Sequence, residues 1–240
     1  MSGHSHWASI KHKKGAADAK RSKVFSKLSR EITVAAKDGG GDPVFNAKLR
    51  MIIDRAKALN MPSDNIERSV KKGTGEIEGV VLEPVLYEAY GPGGVAVIIE
   101  GITDNKNRSL GEIKKIIADH GGKMVAEGAI RWLFERRGII EADPVKVSKN
   151  QEELEMAAIE SGAEDIYWHA DILDIYSKPE NLESVKNNLG EKGIEAESAA
   201  LGWVAKENIQ ISEKEQEACQ KLFEALDEND AVQEIYYNTR

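Results

Sequence analysis

The side chains of this chain that are best suited to chemistry are cations and aromatic rings near its start. Lysine and arginine donate to phosphate oxygens, and a tryptophan ring can stack on an unpaired base. Three histidines stand among them. These residue types at this density indicate contact with nucleic acid. The candidate contacts are Trp7, Lys11, Lys13, Lys14, Lys20, Arg21, Lys23, Lys27, Arg30 and Lys37.

The formal charge of the 240-residue chain is −8, which by itself argues against a nucleic-acid partner. The charge is unevenly distributed, however. Up to Gly75 there are 16 Lys and Arg against 7 Asp and Glu, and the remainder has 17 against 34. A basic first part therefore precedes an acidic remainder, and this asymmetry favours a polyanionic partner for the first part. The alternative is a solvated helix face with a basic tail, which needs no partner.

No group of residues in the sequence predicts catalysis. The Gly-Pro-Gly-Gly run at 91–94 lacks the Lys-Ser/Thr of a phosphate-binding loop and lies between strand patterns, so a turn explains it. Cys219 has no Cys or His near it in sequence, which argues against a zinc motif. Ser2-Gly3-His4 could suit Cu(II) or Ni(II), but chance explains so short a motif. We therefore expect no enzyme activity, no cofactor and no metal site.

The first 75 residues have the apolar period of helices. In the first helix one face carries the apolar residues Val24, Phe25, Leu28, Ile32, Ala35 and Ala36. The opposite face carries a cationic stripe of Lys20, Lys23, Lys27, Arg30 and Lys37. This pattern predicts an amphipathic helix with a basic outer face. A second helix is expected to begin at Asp42-Pro43, with Phe45 in its apolar stripe. A third, capped by Ser63, completes a predicted three-helix bundle.

Strand patterns begin near residue 79. Two β-rich runs flank the turn at 91–94, and a further strand is expected at 129–134. The segment 135–206 then has the order strand, helix, strand, strand, helix, strand, which is ferredoxin-like. A helix at 212–227 and a strand at 232–237 complete the sheet that begins near residue 80. The predicted fold class is α+β multidomain: an N-terminal three-helix bundle followed by two ferredoxin-like α+β domains, one inserted in the other.

The predicted domain boundaries follow from these patterns. Residues 1–78 form a basic helical nucleic-acid-binding domain. Residues 79–134 together with 207–240 form one α+β domain, and 135–206 form the inserted one.

The longest apolar run, at 94–99, is far shorter than the roughly 20 residues that span a membrane. The polar, basic start does not have the pattern of a secretory signal. One cysteine excludes an internal disulfide. We expect a cytoplasmic protein with no membrane partner, and the sequence does not define its oligomeric state.

Long, ordered motifs along the whole chain resemble the YebC/PmpR family, whose mitochondrial relative is the translational activator of cytochrome oxidase subunit I. The chain departs from the family pattern at His6, where relatives often have Lys. The motifs that carry the resemblance are Gly3–Lys14, Asp18–Arg21, Phe25–Lys27, Gly39–Pro43, Tyr87–Gly94, Thr103–Arg108, Gly162–Asp165 and Val232–Tyr236.

The resemblance implies a three-domain protein, with one helical and two α+β domains, of the kind described as a probable DNA-binding transcriptional regulator. Other members look like translation factors that act on the ribosome, including relief of stalling at proline-rich stretches. Duplex DNA and ribosomal RNA present the same phosphates, so the basic residues favour neither. Two functions therefore stay open: a DNA-binding regulator, and a ribosome-associated factor that contacts ribosomal RNA. An enzyme with a pocket between the α+β domains has no residues in its support.

Overall fold

The computed structural model describes residues 18–147, 150–168 and 172–239, with backbone alone for 18–20. Three helices come first, namely α1 (Asp18–Gly39), α2 (Ala47–Ala58) and α3 (Ser63–Thr74). The later helices are α4 (Lys106–Asp119), α5 (Gln151–Glu160), α6 (Leu182–Glu191) and α7 (Glu213–Asp227). The strands are β1 (Glu83–Tyr90), β2 (Ala96–Thr103), β3 (Lys123–Met124), β4 (Phe134–Ala142), β5 (Asp165–Trp168), β6 (Leu173–Ser177), β7 (Ala196–Ala205) and β8 (Val232–Tyr237).

The strands form two four-stranded sheets, with the orders β3-β1-β2-β8 and β5-β6-β4-β7. In the second sheet each neighbouring pair is antiparallel, and its helices and strands follow the ferredoxin-like order. In the first sheet β1 and β2 form an antiparallel hairpin, and β8 is contributed by the end of the chain. The predicted fold class, α+β with three N-terminal helices, is confirmed.

Two compact units contain these elements. Among the described residues, one unit comprises 18–130 and 211–235, and the other comprises 131–210 and 236–239. The three N-terminal helices therefore belong to the same compact unit as the first sheet. The three-domain division with boundaries near 78, 134 and 206 stays a prediction.

The N-terminal helices pack around a core of aliphatic side chains. Leu28 and Ile32, four residues apart on α1, lie on one helix face and are 3% and 0% exposed. They pack with Leu49 and Ile53 of α2 and with Ile66 of α3. Each such buried side chain contributes about 1.5–3 kcal/mol relative to an exposed one. The apolar spacing read from the sequence thus corresponds to the observed core.

The predicted start of the second helix, at Asp42-Pro43, is wrong. The α2 helix begins at Ala47, and the Asn46 side chain caps it by accepting a hydrogen bond from Leu49 N at 3.0 Å. The Asp42 carboxylate instead accepts from Val44 N at 2.8 Å, which closes a turn before the helix. Phe45 consequently lies in this turn, 87% exposed, rather than in the apolar stripe of α2.

The predicted strand at 129–134 is also wrong. Residues Arg131–Leu133 form a short 3-10 turn, and β4 begins at Phe134. The buried Glu88 carboxylate accepts hydrogen bonds from Gly128 N at 2.7 Å and from Ile130 N at 2.9 Å. Because a side chain binds these two backbone donors, neither is available to a strand partner.

We expect Gly73→Ala to separate α3 from α1. A Cβ atom at position 73 would lie 2.4 Å from Thr33 O and 2.7 Å from the Ala36 Cβ, both on α1. Such overpacking should lower the free energy of unfolding by about 2 kcal/mol, measured by urea denaturation. Gly111→Ala is the matched control, because a Cβ there meets nothing within 4 Å, and it should raise stability by about 0.5–1 kcal/mol. Equal effects of the two substitutions would contradict the close approach.

Candidate nucleic-acid interface

The cationic stripe of α1 packs against the rest of its own unit. Lys27 is only 5% exposed, and its Nζ lies 2.8 Å from Asp227 Oδ1 at the end of α7. Lys23 Nζ lies 3.0 Å from Glu228 Oε1 and 3.7 Å from Asp227 Oδ2. The prediction of a basic outer face is therefore wrong at Lys23 and Lys27. Asp227 and Glu228, which are distant in sequence, cover this part of the helix.

Two further cations of the stripe contact the backbone of the first α+β segment. Arg30 Nη1 donates to Ile102 O at 3.0 Å, and Lys37 Nζ donates to Leu82 O at 3.4 Å. Val34, on the same side of α1, is 4% exposed. Arg30 is half-buried, and of this pair only Lys37 is exposed to solvent.

The net charge around the basic helices is different when the whole compact unit is counted. Residues 18–75 have 13 Lys and Arg against 7 Asp and Glu. The described unit that contains them, 18–130 and 211–235, has 20 against 24. The basic helices are thus partly neutralised by acidic residues of their own unit. Only cations that these residues leave exposed can attract a polyanion effectively.

A polar depression lies next to the neutralised stripe, on the solvent side of α1. Ser22 and Ser26, one turn apart on α1, are exposed, and Phe25 is half-buried between them and the bundle core. We call this surface the serine face. It is lined by Arg21, Ser22, Phe25, Ser26, Ser29 and Asn65.

The contact between α1 and α3 positions the two sides of the serine face. Thr33 Oγ1 donates to Ser69 O of α3 at 3.1 Å, and Gly73 allows the two backbones to approach. This crossing places Asn65, in the first turn of α3, on the same depression as Ser29 of α1. The result is one guanidinium, three hydroxyls and one amide around an open depression. Arginine, serine and asparagine are side chains that donate to phosphate oxygens.

The residues that the sequence predicts as nucleic-acid contacts lie in three different environments. Arg21 lies on the serine face, and Lys37 is exposed. Lys23, Lys27 and Arg30 hold α1 against its unit through the contacts above. The predicted contacts that lie outside the described side chains are Trp7, Lys11, Lys13, Lys14 and Lys20.

The sequence-based reasoning missed the serines and Asn65. The sequence feature that indicates the serine face is the spacing of Ser22, Ser26 and Ser29, which places three hydroxyls on one side of a helix. Serine hydroxyls carry no charge, so the charge pattern of the sequence does not mark them. Asn65 had no sign in the sequence, because only the packing of α3 on α1 brings it to the depression.

Within the described residues no group of three or more His, Cys, Asp or Glu could hold a metal ion. Cys219 is buried, and its thiol donates to Pro92 O at 3.4 Å. Burial, assisted by the negative charge of Glu215, raises the pKa of this thiol to about 11. A thiol with this pKa is almost entirely protonated near neutral pH and is a poor nucleophile.

A second polar depression lies between α1, α4 and the segment after α7. It contains acidic and basic side chains together, and Asn229 Nδ2 donates to Glu112 Oε2 across it at 3.0 Å. Over the described ranges no helix is both long and apolar enough to cross a membrane.

These features define the class of this protein: an α+β protein with two antiparallel sheets and an N-terminal three-helix bundle that carries a polar, arginine-containing face. Two family models match it. The TACO1/YebC N-terminal domain matches residues 5–76, and the TACO1/YebC second and third domain matches 82–239. The chain belongs to the TACO1/YebC family, as the sequence motifs predicted.

Similar proteins match this chain over nearly its whole length. A probable transcriptional regulatory protein of Thermosipho melanesiensis is 50% identical over 238 residues, which cover 99% of this chain and 93% of that one. A protein of the same name from Thermotoga maritima is 49% identical over the same shares of both chains. The crystal structure of a conserved hypothetical protein from Aquifex aeolicus is 47% identical and has a TM-score of 0.91, covering 98% of this chain and 96% of that one.

Proposed function

We propose that this chain is a cytoplasmic DNA-binding transcriptional regulator and has no enzyme activity. The names of the relatives support the regulatory role. The observation that supports DNA as the partner is the serine face, where Arg21, three hydroxyls and the Asn65 amide line one open depression. Half or more of the hydrogen bonds between proteins and DNA go to phosphate and sugar, from these residue types.

The proposed contacts divide by chemistry. Arg21 supplies a charge-assisted contact, and Ser22, Ser26 and Asn65 supply neutral donors. Lys37 adds long-range attraction at the other end of α1. The sequence-predicted contacts Trp7, Lys11, Lys13, Lys14 and Lys20 remain part of the proposal and lie outside the described side chains. In this proposal Lys23, Lys27 and Arg30 position α1 and do not contact phosphate.

We expect Arg21→Ala to flatten the plot of log affinity against log salt concentration by about one unit, because one phosphate contact is lost. The measurement is fluorescence anisotropy of a labelled mixed-sequence duplex with the full-length chain at several salt concentrations. Lys115→Ala is the matched control, since this exposed lysine of α4 is in the same unit but outside the serine face. Its slope should equal that of the wild type.

Adding negative charge to the face sharpens the test. Ser22→Glu/Ser26→Glu should abolish binding at moderate salt, because two carboxylates then face the phosphates, while both sites are exposed and the fold should be retained. Equal slopes for Arg21→Ala and Lys115→Ala would remove the serine face as the interface. A structured RNA of matched length is the second arm, and tighter binding of RNA than of duplex DNA would contradict the DNA proposal.

A further inference from the structure

The turn between α1 and α2 exposes two large apolar side chains. Val44 is 72% exposed and Phe45 is 87% exposed, side by side at the end of the turn. We call them the Val44–Phe45 tip. An aromatic ring this exposed has an unfavourable contact with water that burial elsewhere in the fold would remove. The tip is therefore a feature that needs an explanation beyond the packing of the bundle.

Hydrogen bonds on both sides hold the tip in place. Before the tip, Asp42 Oδ1 accepts from Val44 N at 2.8 Å, and Asp42 O accepts from Phe45 N at 3.2 Å. From α2, Arg50 Nη1 donates to Pro43 O at 2.9 Å and to Val44 O at 3.4 Å. The exposure of Phe45 is therefore set by a braced turn and does not result from a loosely held loop.

The turn is also fixed to the helices that flank it. The Asn46 amide nitrogen donates to Ala35 O and to Gly40 O, both at 2.8 Å. Gly41 lies so close to α3 that a Cβ atom there would be 2.7 Å from Thr74 Cγ2. The turn that carries the tip thus contacts all three helices of the bundle.

The ends of all three helices near the tip carry an exposed lysine, beside the exposed carboxylates of Asp38 and Asp42. Lys48 is exposed in the first turn of α2, and Lys72 is exposed near the end of α3 that contacts Gly41. The N-terminus of α2, which is the positive end of its dipole, directly follows Phe45. Exposed Lys37 belongs to the turn of α1 that precedes the loop. Lysines at the ends of all three helices, near an apolar projection, suit a polyanion that also offers apolar surface.

We propose that the Val44–Phe45 tip is a wedge that inserts between adjacent base pairs of bound DNA and kinks the duplex; this inference rests on the proposed DNA binding. Phenylalanine and other apolar side chains open base steps in this way in proteins that bend DNA. The flanking cations bind the phosphates on either side of the opened step. A protein partner is a poorer fit, because two side chains fall far short of the roughly 800 Å² that each side of a stable protein interface buries.

The test measures bending and binding separately on the full-length chain. The probe is a mixed-sequence duplex with a donor and an acceptor dye at its ends and 2-aminopurine at a central TA step, which unstacks easily. The wild type should shorten the end-to-end distance and raise 2-aminopurine fluorescence. Phe45→Ala should bind about tenfold more weakly, with an unchanged salt slope and with neither bending nor unstacking. Phe45→Trp should bend the duplex as the wild type does.

Two controls separate the wedge from other effects. Phe45→Ala should keep the wild-type Tm, because the side chain is almost fully exposed. Val145→Ala removes an equally exposed apolar side chain, 86% exposed, from the other compact unit and should change neither binding nor bending.

The outcomes that overturn the wedge are distinct from those that overturn DNA binding. If Phe45→Ala binds and bends the duplex as the wild type does, or if the wild type binds without bending, the wedge is wrong and the DNA proposal stands. If the wild type binds no duplex at any salt concentration, both proposals are wrong.

Discussion

Asp227→Ala should lower the free energy of unfolding by about 3–5 kcal/mol, the largest effect that we expect from any single polar substitution in this chain. Asp227 lies 2.8 Å from Lys27 Nζ and 3.7 Å from Lys23 Nζ, and the Lys27 side chain is 6% exposed. Removing the carboxylate leaves an ammonium group in a site that water barely reaches. The lost stability is the free energy of removing the Lys27 ammonium group from water, which the attraction to Asp227 no longer offsets.

The neighbouring acid provides a matched control. Glu228 also contacts Lys23, at 3.0 Å, but its side chain is 79% exposed. A pair that water screens contributes about 0–1 kcal/mol, so Glu228→Ala should have little effect in the same urea titration. Lys27→Met/Asp227→Leu should recover most of the loss, because replacing a whole buried pair with apolar groups is often neutral. If Asp227→Ala costs no more than Glu228→Ala, the pair does not anchor α1.

Asn46→Ala should have the second largest effect, a loss of about 3 kcal/mol. The Asn46 side chain is 7% exposed and makes three hydrogen bonds: it accepts from Leu49 N and donates to Ala35 O and Gly40 O. Loss of the helix cap costs about 1 kcal/mol. Each carbonyl that loses its donor, buried at Ala35 and part-buried at Gly40, adds about 1 kcal/mol more.

The cap of α5 is a control that separates the helix-capping bond of Asn46 from the two hydrogen bonds that Asn46 donates. Asn150 caps α5 by accepting from Glu153 N at 3.0 Å, and it is exposed. Asn150→Ala should therefore cost only about 1 kcal/mol. Asn46→Asp keeps an acceptor for Leu49 N but cannot donate, so it should stay well below wild-type stability. Recovery of wild-type stability by Asn46→Asp would show that the donated bonds contribute nothing.

Asn46→Ala also bears on the proposed wedge. The same side chain caps α2 and holds the turn that presents the Val44–Phe45 tip, so its loss should loosen the tip without removing it. Bending of the DNA probe should then fall below the wild-type value while the salt slope is retained. Wild-type bending by Asn46→Ala would show that the tip does not depend on this brace.

The sequence predicted the elements whose causes are local. The apolar spacing of Leu28 and Ile32 marked the buried face of α1, and the glycine-rich run at 91–94 marked the turn of the β1–β2 hairpin. Helix α3 ends at Gly75, whose φ is 81°, because glycine readily adopts the left-handed conformation that ends helices. Each of these features depends on residues within a few positions of one another.

The start of α2 shows where local rules conflict. Asp42-Pro43 and Asn46 are both acceptable helix starts, and the choice decides whether Phe45 points into a helix stripe or out of a turn. Asn46 is favoured because its amide also bonds to Ala35 O, eleven residues earlier, and to Gly40 O. That preference arises only when α1 and α2 are packed together.

The tertiary structure decided which face of α1 can meet a partner. Helical periodicity shows that Lys23, Lys27 and Arg30 share a face, and it contains no information about what that face contacts. The carboxylate that pairs with Lys27 is 200 residues away along the chain. The acidic end of α7 covers the most basic side of α1, and the neighbouring serine face, which has little charge to mark it in a sequence, is left open to solvent. Periodicity determined the grouping of the side chains, and long-range charge pairing determined which group is exposed.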